Sequence, residues 1–302
     1  MTTSIDVSTI HVAMIGYGEV GGILGRALRA RGVASVRTYD RLLDDPKRGA
    51  AMAERARGDG IVPAPTAAEA VRDADLVVSA VTASQTRAAV TGAVAGLRPG
   101  AIVVDINSAS PGTKIGCAAI VHAAGGRYVE MAVMTSVPPK GLATPMLSGG
   151  PDAAGAAPLL AALGFNVEPT SEEYGVASAI KMCRSVIVKG MEALVIESFV
   201  TARKYGVEKQ VLASLAESFP GIDWEKQGGY FFQRVVQHGR RRAEEMQEAA
   251  VTVREAGLEP LMTAATAKRQ AEVADLVEAG TLSRGGDAAA GWRAHADAMN
   301  AQ

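Results

Sequence analysis

The sequence predicts an α/β protein in which a doubly wound parallel sheet is followed by an all-α C-terminal domain. In the first half, short apolar runs alternate with helical patterns, which is typical of a parallel sheet with helices on both faces. After Ser171 the strand pattern almost disappears and long helical patterns follow. We therefore place the boundary there, between a sheet domain of residues 1–170 and a helical domain of residues 171–302.

Six apolar runs are predicted to be the strands, at residues 11–16, 35–40, 76–82, 101–107, 126–133 and 164–170. Helices are predicted between them at residues 20–30, 67–72, 84–95, 111–124 and 152–162. Pro63 and Pro65 indicate a loop. In the second domain, residues 174–205 are predicted to form one long helix, and Pro and Gly residues separate the helices that follow it.

The composition limits the classes of partner and the location. The 302-residue chain has a formal net charge of −1, which argues against nucleic acid or an anionic membrane as the main partner. Its two cysteines, Cys117 and Cys183, form no CxxC or CxxH pattern, so we predict no metal site and two thiols in a reducing compartment. We find no basic leader and no apolar run of membrane length, so we expect a cytoplasmic protein.

A glycine-rich segment directly follows the first predicted strand. Gly16, Gly18 and Gly21 have the GxGxxG spacing, which is weak evidence by itself in a chain with 33 glycines. Between a strand and a helix, however, such glycines allow a tight turn, close approach of a pyrophosphate and close helix packing. The helix N-terminus adds free N–H groups and a partial positive charge. The first domain is therefore predicted to be a Rossmann domain that binds a nicotinamide dinucleotide. The predicted contacts in this segment are Gly16, Tyr17, Gly18, Glu19, Val20 and Gly21.

The second predicted strand ends in Asp40, about 20 residues after the glycines. A carboxylate at this spacing accepts hydrogen bonds from the ribose hydroxyls of NAD and repels the 2′-phosphate of NADP. Arg41 leaves NADP open, because its guanidinium can pair with that phosphate, stack on the adenine or lie in solvent. We expect NAD or NADP, with NAD favoured. We also expect cofactor contacts from Val81, Thr82 and Asn107, at the ends of two later strands.

Three further stretches carry a resemblance to a known family. They are DINSASPGT (residues 105–113), VEMAVMTSVPPKGLATPMLSGG (129–150) and GVASAIKMCRS (175–185). Together they resemble the β-hydroxyacid dehydrogenases, which include 3-hydroxyisobutyrate dehydrogenase and are related to 6-phosphogluconate dehydrogenase. The resemblance covers both domains and is weaker in the second.

The first stretch resembles the substrate loop of that family, a D-x-S-T-x-x-P pattern that holds a substrate carboxylate. Asn107 and Ser108 occupy the Ser-Thr pair, and Pro111 matches, so the resemblance implies that Asn107 and Ser108 bind substrate. Alternatively, Ser108 or Ser110 caps the following helix. The second stretch is similar in place to a D-A-P-V-S-G-G segment that lines the substrate site. There Met134, Thr135 and Ser136 replace Ser-Gly-Gly, and we expect Met134 and Thr135 to contact the substrate.

The third stretch is similar to the pattern G-x-G-x-x-x-K-x-x-N-N, whose lysine is the catalytic acid/base. Gly175 and Lys181 match, which implies that Lys181 is catalytic, although a lone helical lysine is otherwise a solvated side chain. Arg184 and Ser185 replace the asparagines, and we expect both at the substrate. Apolar neighbours and Arg184 would favour the neutral amine of Lys181.

A fourth segment, HGRRRAEEMQEAA (residues 238–250), lies where the family has a K-D-L helix that reaches the cofactor or the partner domain. Arg242 falls at the lysine position, but Ala243 replaces the aspartate. The alternative is a salt-bridged helix surface.

The resemblance implies an NAD(P)-dependent oxidoreductase that transfers a hydride between the cofactor and a small anionic hydroxy acid, or its oxo or semialdehyde form. Imine reduction or oxidative decarboxylation on the same scaffold, and a non-catalytic NAD(P)-sensing module, remain as alternatives. We expect a homodimer that forms through the helical domain, because that domain has little else to cover its long helix.

Overall fold

The computed structural model describes residues 5–284 and 291–301. The chain divides into two compact units, Met1–Met182 and Cys183–Gln302. The division lies inside a long helix, somewhat beyond the position at which the sequence analysis placed the domain boundary. Each unit is described separately below.

The first unit contains one eight-stranded sheet. Its strands are β1 (His11–Ile15), β2 (Ser35–Tyr39), β3 (Val62–Pro63), β4 (Leu76–Ser79), β5 (Ile102–Asp105), β6 (Arg127–Val133), β7 (Met146–Gly149) and β8 (Val167–Ser171). Their order in the sheet is β3-β2-β1-β4-β5-β6-β7-β8, and every neighbouring pair is parallel except β6 and β7. From β1 the chain adds β2 and β3 on one side, and it then adds β4 and the later strands on the other side of β1. This order confirms the predicted Rossmann fold.

Six helices accompany the sheet. They are α1 (Glu19–Ala30), α2 (Gly49–Gly58), α3 (Ala67–Val71), α4 (Thr86–Ala93), α5 (Pro111–Ala123) and α6 (Ala153–Ala162). Two separate apolar cores result. One includes Leu24 of α1 and Leu160 of α6, and the other includes Val71 of α3, Val90 of α4 and Val121 of α5. The strands contribute buried residues to both cores, as expected for a sheet with helices on both faces.

Three elements of this unit are not predicted from the sequence. Strand β3 lies in the stretch that was predicted to be a loop, and it pairs only with β2 at the sheet edge, where a proline is tolerated. Helix α2 was missed because its small and charged residues form no apolar stripe, and only Gly49 and Ala56 are buried. Strand β7 is a four-residue segment that runs antiparallel to β6, too short for a clear periodicity.

The described residues of the second unit form helices joined by short loops, which confirms the predicted all-α C-terminal region. The helices are α7 (Val176–Tyr205), which begins in the first unit, α8 (Glu208–Ser218), α9 (Trp224–Glu255), α10 (Leu261–Glu278) and α11 (Gly291–Asn300). Their common core is built on Phe199, Phe232, Val235 and Trp292. Among the described residues, no helix has the length and apolar character required to cross a membrane.

Helix α9 bends at His238, which has non-helical dihedral angles of φ −132° and ψ 15°. Next to the bend, Gly239 lies against α10, where a Cβ atom would be 2.9 Å from the carbonyl oxygen of Gln270. One turn later the Arg242 guanidinium donates to both carboxylate oxygens of Glu192 on α7, and both side chains are buried. Gln270 Nε2 also donates to Glu192, at 3.3 Å. The bend and the small glycine therefore bring three helices together around one buried ion pair.

A second ion pair extends this polar cluster. Lys189 of α7 is buried and pairs with Glu245 of α9 at 2.5 Å. Burial lowers the pKa of Lys189, and Glu245 opposes that shift. Arg242 and Glu245 thus form ion pairs, as the salt-bridged alternative expects, but Arg242 is buried in the packing of the helical unit and not at a helix surface.

We predict that Arg242→Met lowers the free energy of unfolding by about 3–5 kcal/mol, because it leaves the Glu192 carboxylate buried without its partner. The measurement is chemical denaturation of the variant and of wild type. The double variant Arg242→Met/Glu192→Leu removes both charges and should recover much of the loss. Equal stability of the single variant and wild type would contradict this assignment.

Candidate active site

The carboxyl ends of four neighbouring strands bring the predicted cofactor residues to one edge of the sheet. Gly16 directly follows β1 and Asp40 directly follows β2, while Val81 and Asn107 lie two positions after the ends of β4 and β5. Two backbone hydrogen bonds of 2.8 Å link these ends. Gly16 N donates to Tyr39 O, and Ala80 N donates to Ile15 O. In open parallel sheets, ligands bind at this edge, where the strand order reverses.

The glycine-rich segment has the conformation that its sequence requires. Gly16 has φ +97°, and a Cβ atom there would overlap the carbonyl oxygen of Ala80. A Cβ atom at Gly21 would overlap the carbonyl oxygen of Gly16. At Gly18 a Cβ atom would meet nothing within 4 Å, so the segment is open at the point where a pyrophosphate would approach. Helix α1 starts directly after Gly18, which offers no side chain to its first N–H groups.

Asp40 is held in place by the same segment. Its Oδ2 accepts a hydrogen bond from Tyr17 N at 2.7 Å, and its Oδ1 accepts one from Leu42 N at 2.9 Å. A carboxylate has about four acceptor positions, so acceptor capacity remains for ribose hydroxyls. The open glycine segment, the helix N-terminus and the oriented carboxylate together fit a nicotinamide dinucleotide. Arg41 is exposed beside them.

Tyr17 attaches this segment to α2. Its side chain is fully buried, and its hydroxyl donates a hydrogen bond to Asp59. Burial and the Asp59 carboxylate raise the pKa of Tyr17 to about 12. Arg55 of α2 donates to the Tyr17 carbonyl oxygen, and its guanidinium lies 4.8 Å from the centre of the Tyr17 ring. The central residue of the glycine-rich segment is therefore fixed from both sides.

Asn107 joins the ends of β4 and β5. Its Oδ1 accepts a hydrogen bond from Val81 N at 2.7 Å, and its Nδ2 donates to Ser79 Oγ at 2.9 Å. The side chain is buried. Two of the predicted cofactor residues, Asn107 and Val81, are thus in direct contact, while Thr82 is exposed next to them.

The predicted catalytic lysine lies beside the predicted substrate loop. Lys181 Nζ donates a hydrogen bond to Ser108 Oγ at 2.6 Å, and both residues are half-buried. The cap of α5 is formed by the other candidate, Ser110, whose Oγ accepts from Thr113 N at 3.2 Å. Ser108 is therefore not required as a helix cap, and its hydroxyl faces the amine.

A buried acid that the sequence analysis did not single out fixes the start of the lysine helix. Glu130 of β6 is completely buried, and its Oε1 accepts hydrogen bonds from Gly175 N and Ala177 N, each at 3.0 Å. Its Oε2 accepts one from Ser178 Oγ at 2.7 Å. The carboxylate caps α7 and lies at the positive end of its dipole. The available signal was an acidic residue inside an otherwise apolar strand.

For the remaining predicted substrate residues, the structure gives the exposure and the position along the chain. Met134 is half-buried and Thr135 is exposed, directly after β6, whose parallel pairing with β5 brings them to the same sheet edge as Asn107. Arg184 is exposed and Ser185 is buried on the next turn of α7 after Lys181, in the second unit. Their roles stay predictions.

Comparison with known proteins agrees with this geometry. Residues 11–170, more than half of the chain, match the family described as the NAD binding domain of 6-phosphogluconate dehydrogenase. Residues 202–273 match a domain of unknown function, DUF1932.

Among solved structures, a conserved hypothetical protein from Sinorhizobium meliloti 1021 is 35% identical, with a TM-score of 0.75 and coverage of 97% of this chain and 96% of that one. The conserved protein MTH1747, described as structurally similar to 3-hydroxyacid dehydrogenases, is 33% identical, with a TM-score of 0.67 and coverage of 88% and 97%. Mycobacterium tuberculosis 3-hydroxyisobutyrate dehydrogenase with L-serine is 20% identical, with a TM-score of 0.70 and coverage of 88% and 94%, which shows the shared fold.

The matched cofactor domain, the helical second unit and the two relatives above 30% identity agree with the family resemblance of the sequence motifs. The chain is a divergent member of the β-hydroxyacid dehydrogenase family of NAD(P)-dependent oxidoreductases.

Proposed function

We propose that this protein transfers a hydride between a nicotinamide cofactor and a small anionic hydroxy acid, or its oxo or semialdehyde form, with Lys181 as the general acid/base. The observation that carries the proposal is the 2.6 Å hydrogen bond from Lys181 Nζ to Ser108 Oγ. This hydrogen bond connects the loop that follows β5 with an amine that can accept or donate a proton. The loop lies at the sheet edge that fits the cofactor.

When bound, the cofactor supplies or accepts the hydride. Lys181 acts as the general acid/base. Its neutral amine accepts the proton of the substrate hydroxyl in oxidation, and its ammonium returns a proton to the forming alkoxide in reduction. Ser108 orients the Lys181 amine through their hydrogen bond. Glu130 supports this arrangement by fixing the first turn of the helix that carries Lys181.

The proposed substrate class rests on the residues that the family motifs select. Ser108 would offer its hydroxyl to a carboxylate, while Asn107, whose side chain is buried against Ser79 and Val81, would contribute by holding the loop. Met134 and Thr135, after β6, would provide a mixed apolar and polar wall. Arg184, on the turn of α7 after Lys181, offers a guanidinium that can bind a carboxylate with two hydrogen bonds, which the asparagine of the family pattern cannot do.

Three alternative functions can be compared with this proposal. Imine reductases of this architecture lack the lysine, so Lys181 argues against imine reduction. Sugar-acid decarboxylases of this family have a histidine where this chain has Arg184, which argues against oxidative decarboxylation. A sensing module would bind the cofactor and turn over no hydroxy acid.

We also propose a homodimer that forms through α7. Ile180, Ile187 and Leu194 recur every seven residues along this helix, and their exposed fractions are 40%, 65% and 55%. An exposed apolar stripe of this kind is typical of a surface that another chain covers.

We predict that Lys181→Ala lowers kcat by about 100- to 10,000-fold on whichever hydroxy acid the wild type oxidises, because the proton acceptor is lost. Absorbance of the reduced nicotinamide, followed over a panel of hydroxy acids, measures turnover, and fluorescence titration measures cofactor binding. Lys226→Ala, which changes an exposed lysine on α9, is the matched control. A Lys181→Ala enzyme with wild-type kcat would exclude the proposed role.

We predict that Asp40→Asn raises kcat/KM with NADP relative to NAD by about 10- to 100-fold, because the carboxylate that repels the 2′-phosphate becomes neutral. Affinity for both cofactors should fall somewhat, since asparagine cannot accept both backbone hydrogen bonds. Asp73→Asn, before β4 at the opposite edge of the sheet, is the control. An unchanged cofactor ratio would show that Asp40 does not select the cofactor.

For the dimer, we predict that Ile187→Glu/Leu194→Glu converts the protein from twice the chain mass to a monomer in light scattering coupled to size exclusion. Two charges would otherwise be buried in the interface. Leu258→Glu, which changes an exposed apolar residue after α9, should leave the mass unchanged. A monomeric wild type at micromolar concentration would rule out this interface.

A further inference from the structure

A completely buried lysine lies beneath the substrate loop. Lys114, in the first turn of α5, has no exposed surface. Its Nζ donates a hydrogen bond to the Asp105 carbonyl oxygen at 2.8 Å and lies 2.9 Å from Asp105 Oδ1. Burying an ammonium costs much free energy unless it is paired, and an apolar pair of similar volume would serve stability at least as well. The position of this pair therefore suggests a purpose other than stability.

Asp105 connects this ion pair to three elements of the fold. It is the last residue of β5, and its Oδ1 also accepts a hydrogen bond from Asn107 N at 2.9 Å. Its Oδ2 accepts one from the Tyr128 hydroxyl at 2.6 Å. Asp105 and Tyr128 are both fully buried. The carboxylate thus holds the chain at the point where β5 turns into the substrate loop.

The contacts continue from this turn to the site. The side chain of Asn107 bridges Ser79 and the backbone N–H of Val81, and the next residue, Ser108, accepts the hydrogen bond from Lys181. A displacement of the Asp105–Asn107 turn would therefore move Ser108 relative to the amine. Displacements of about 1 Å at a reacting group lower rates by about 100-fold.

We propose that Lys114 is a positioning residue for the active site: its ammonium orients Asp105, and Asp105 sets the Asn107–Ser108 turn at hydrogen-bonding distance from Lys181. This inference rests on the proposed function for its effect on catalysis, but its structural part does not depend on turnover.

The test separates two effects of Lys114: the orientation of the Asp105 carboxylate and the compensation of its buried charge. Lys114→Met leaves Asp105 buried without its counter-ion and is expected to destabilise the protein. The double variant Lys114→Met/Asp105→Asn removes both charges, which should restore part of the lost stability. The asparagine introduced in this variant has a single amide oxygen, which cannot accept all the hydrogen bonds that the Asp105 carboxylate accepts, so the turn stays loosened.

For the double variant we expect a stability to denaturant above that of Lys114→Met, faster hydrogen–deuterium exchange in peptides that cover residues 105–113, and a kcat lower by about 100-fold. Tyr128→Phe removes only the hydroxyl that donates to Asp105. It should produce the same changes to a smaller extent in a protein that folds normally.

Wild-type exchange in residues 105–113 and wild-type kcat in both variants would overturn the inference. If the wild-type enzyme turns over no hydroxy acid, the exchange measurement alone decides the role of Lys114, and the lack of turnover counts against the proposed function only.

Discussion

The arrangement of the site depends on one buried carboxylate at the start of the long helix. Glu130 accepts hydrogen bonds from two backbone N–H groups and one hydroxyl in the first turn of α7. These donors belong to the positive end of a 30-residue helix, so the carboxylate is both hydrogen-bonded and compensated in charge. Lys181 lies one turn further along that helix. Its reach to Ser108 is set by where Glu130 holds the helix end.

The two residues of the Lys181–Ser108 hydrogen bond are held from adjacent strands. Asp105 at the end of β5 and Glu130 in β6 are register partners in the sheet. Asp105 holds the turn that carries Ser108, and Glu130 holds the helix that carries Lys181. Tyr128, two residues before Glu130, donates to Asp105. A rigid pair of parallel strands therefore fixes the separation of a hydroxyl and an amine that are far apart in the sequence.

The fold could be predicted in most of its elements because periodicity and glycine spacing are local signals. Gly16 and Gly21 each meet a steric requirement, and Gly18 leaves the segment open, as their spacing in the sequence indicates. The short β7 and the charged α2 carry no such local pattern and were missed. Lys181 and Ser108 were selected by resemblance to a family, and their proximity depends on a tertiary contact. Glu130 left only a weak signal, an acid within a mostly apolar strand, and Lys114 left none, because the burial of a charged helix residue is revealed only by the packing.

The central claim is that Lys181 exchanges the proton while the carbon of the substrate exchanges a hydride. The most direct measurement is the pH dependence of kcat/KM in both directions with one hydroxy acid and its oxo form, for wild type and Lys181→Ala. If Lys181 exchanges the proton, oxidation slows as the pH falls and reduction slows as the pH rises, and both dependences are lost in the variant. The same pH dependence in wild type and variant, or cofactor binding without any turnover, would contradict this claim.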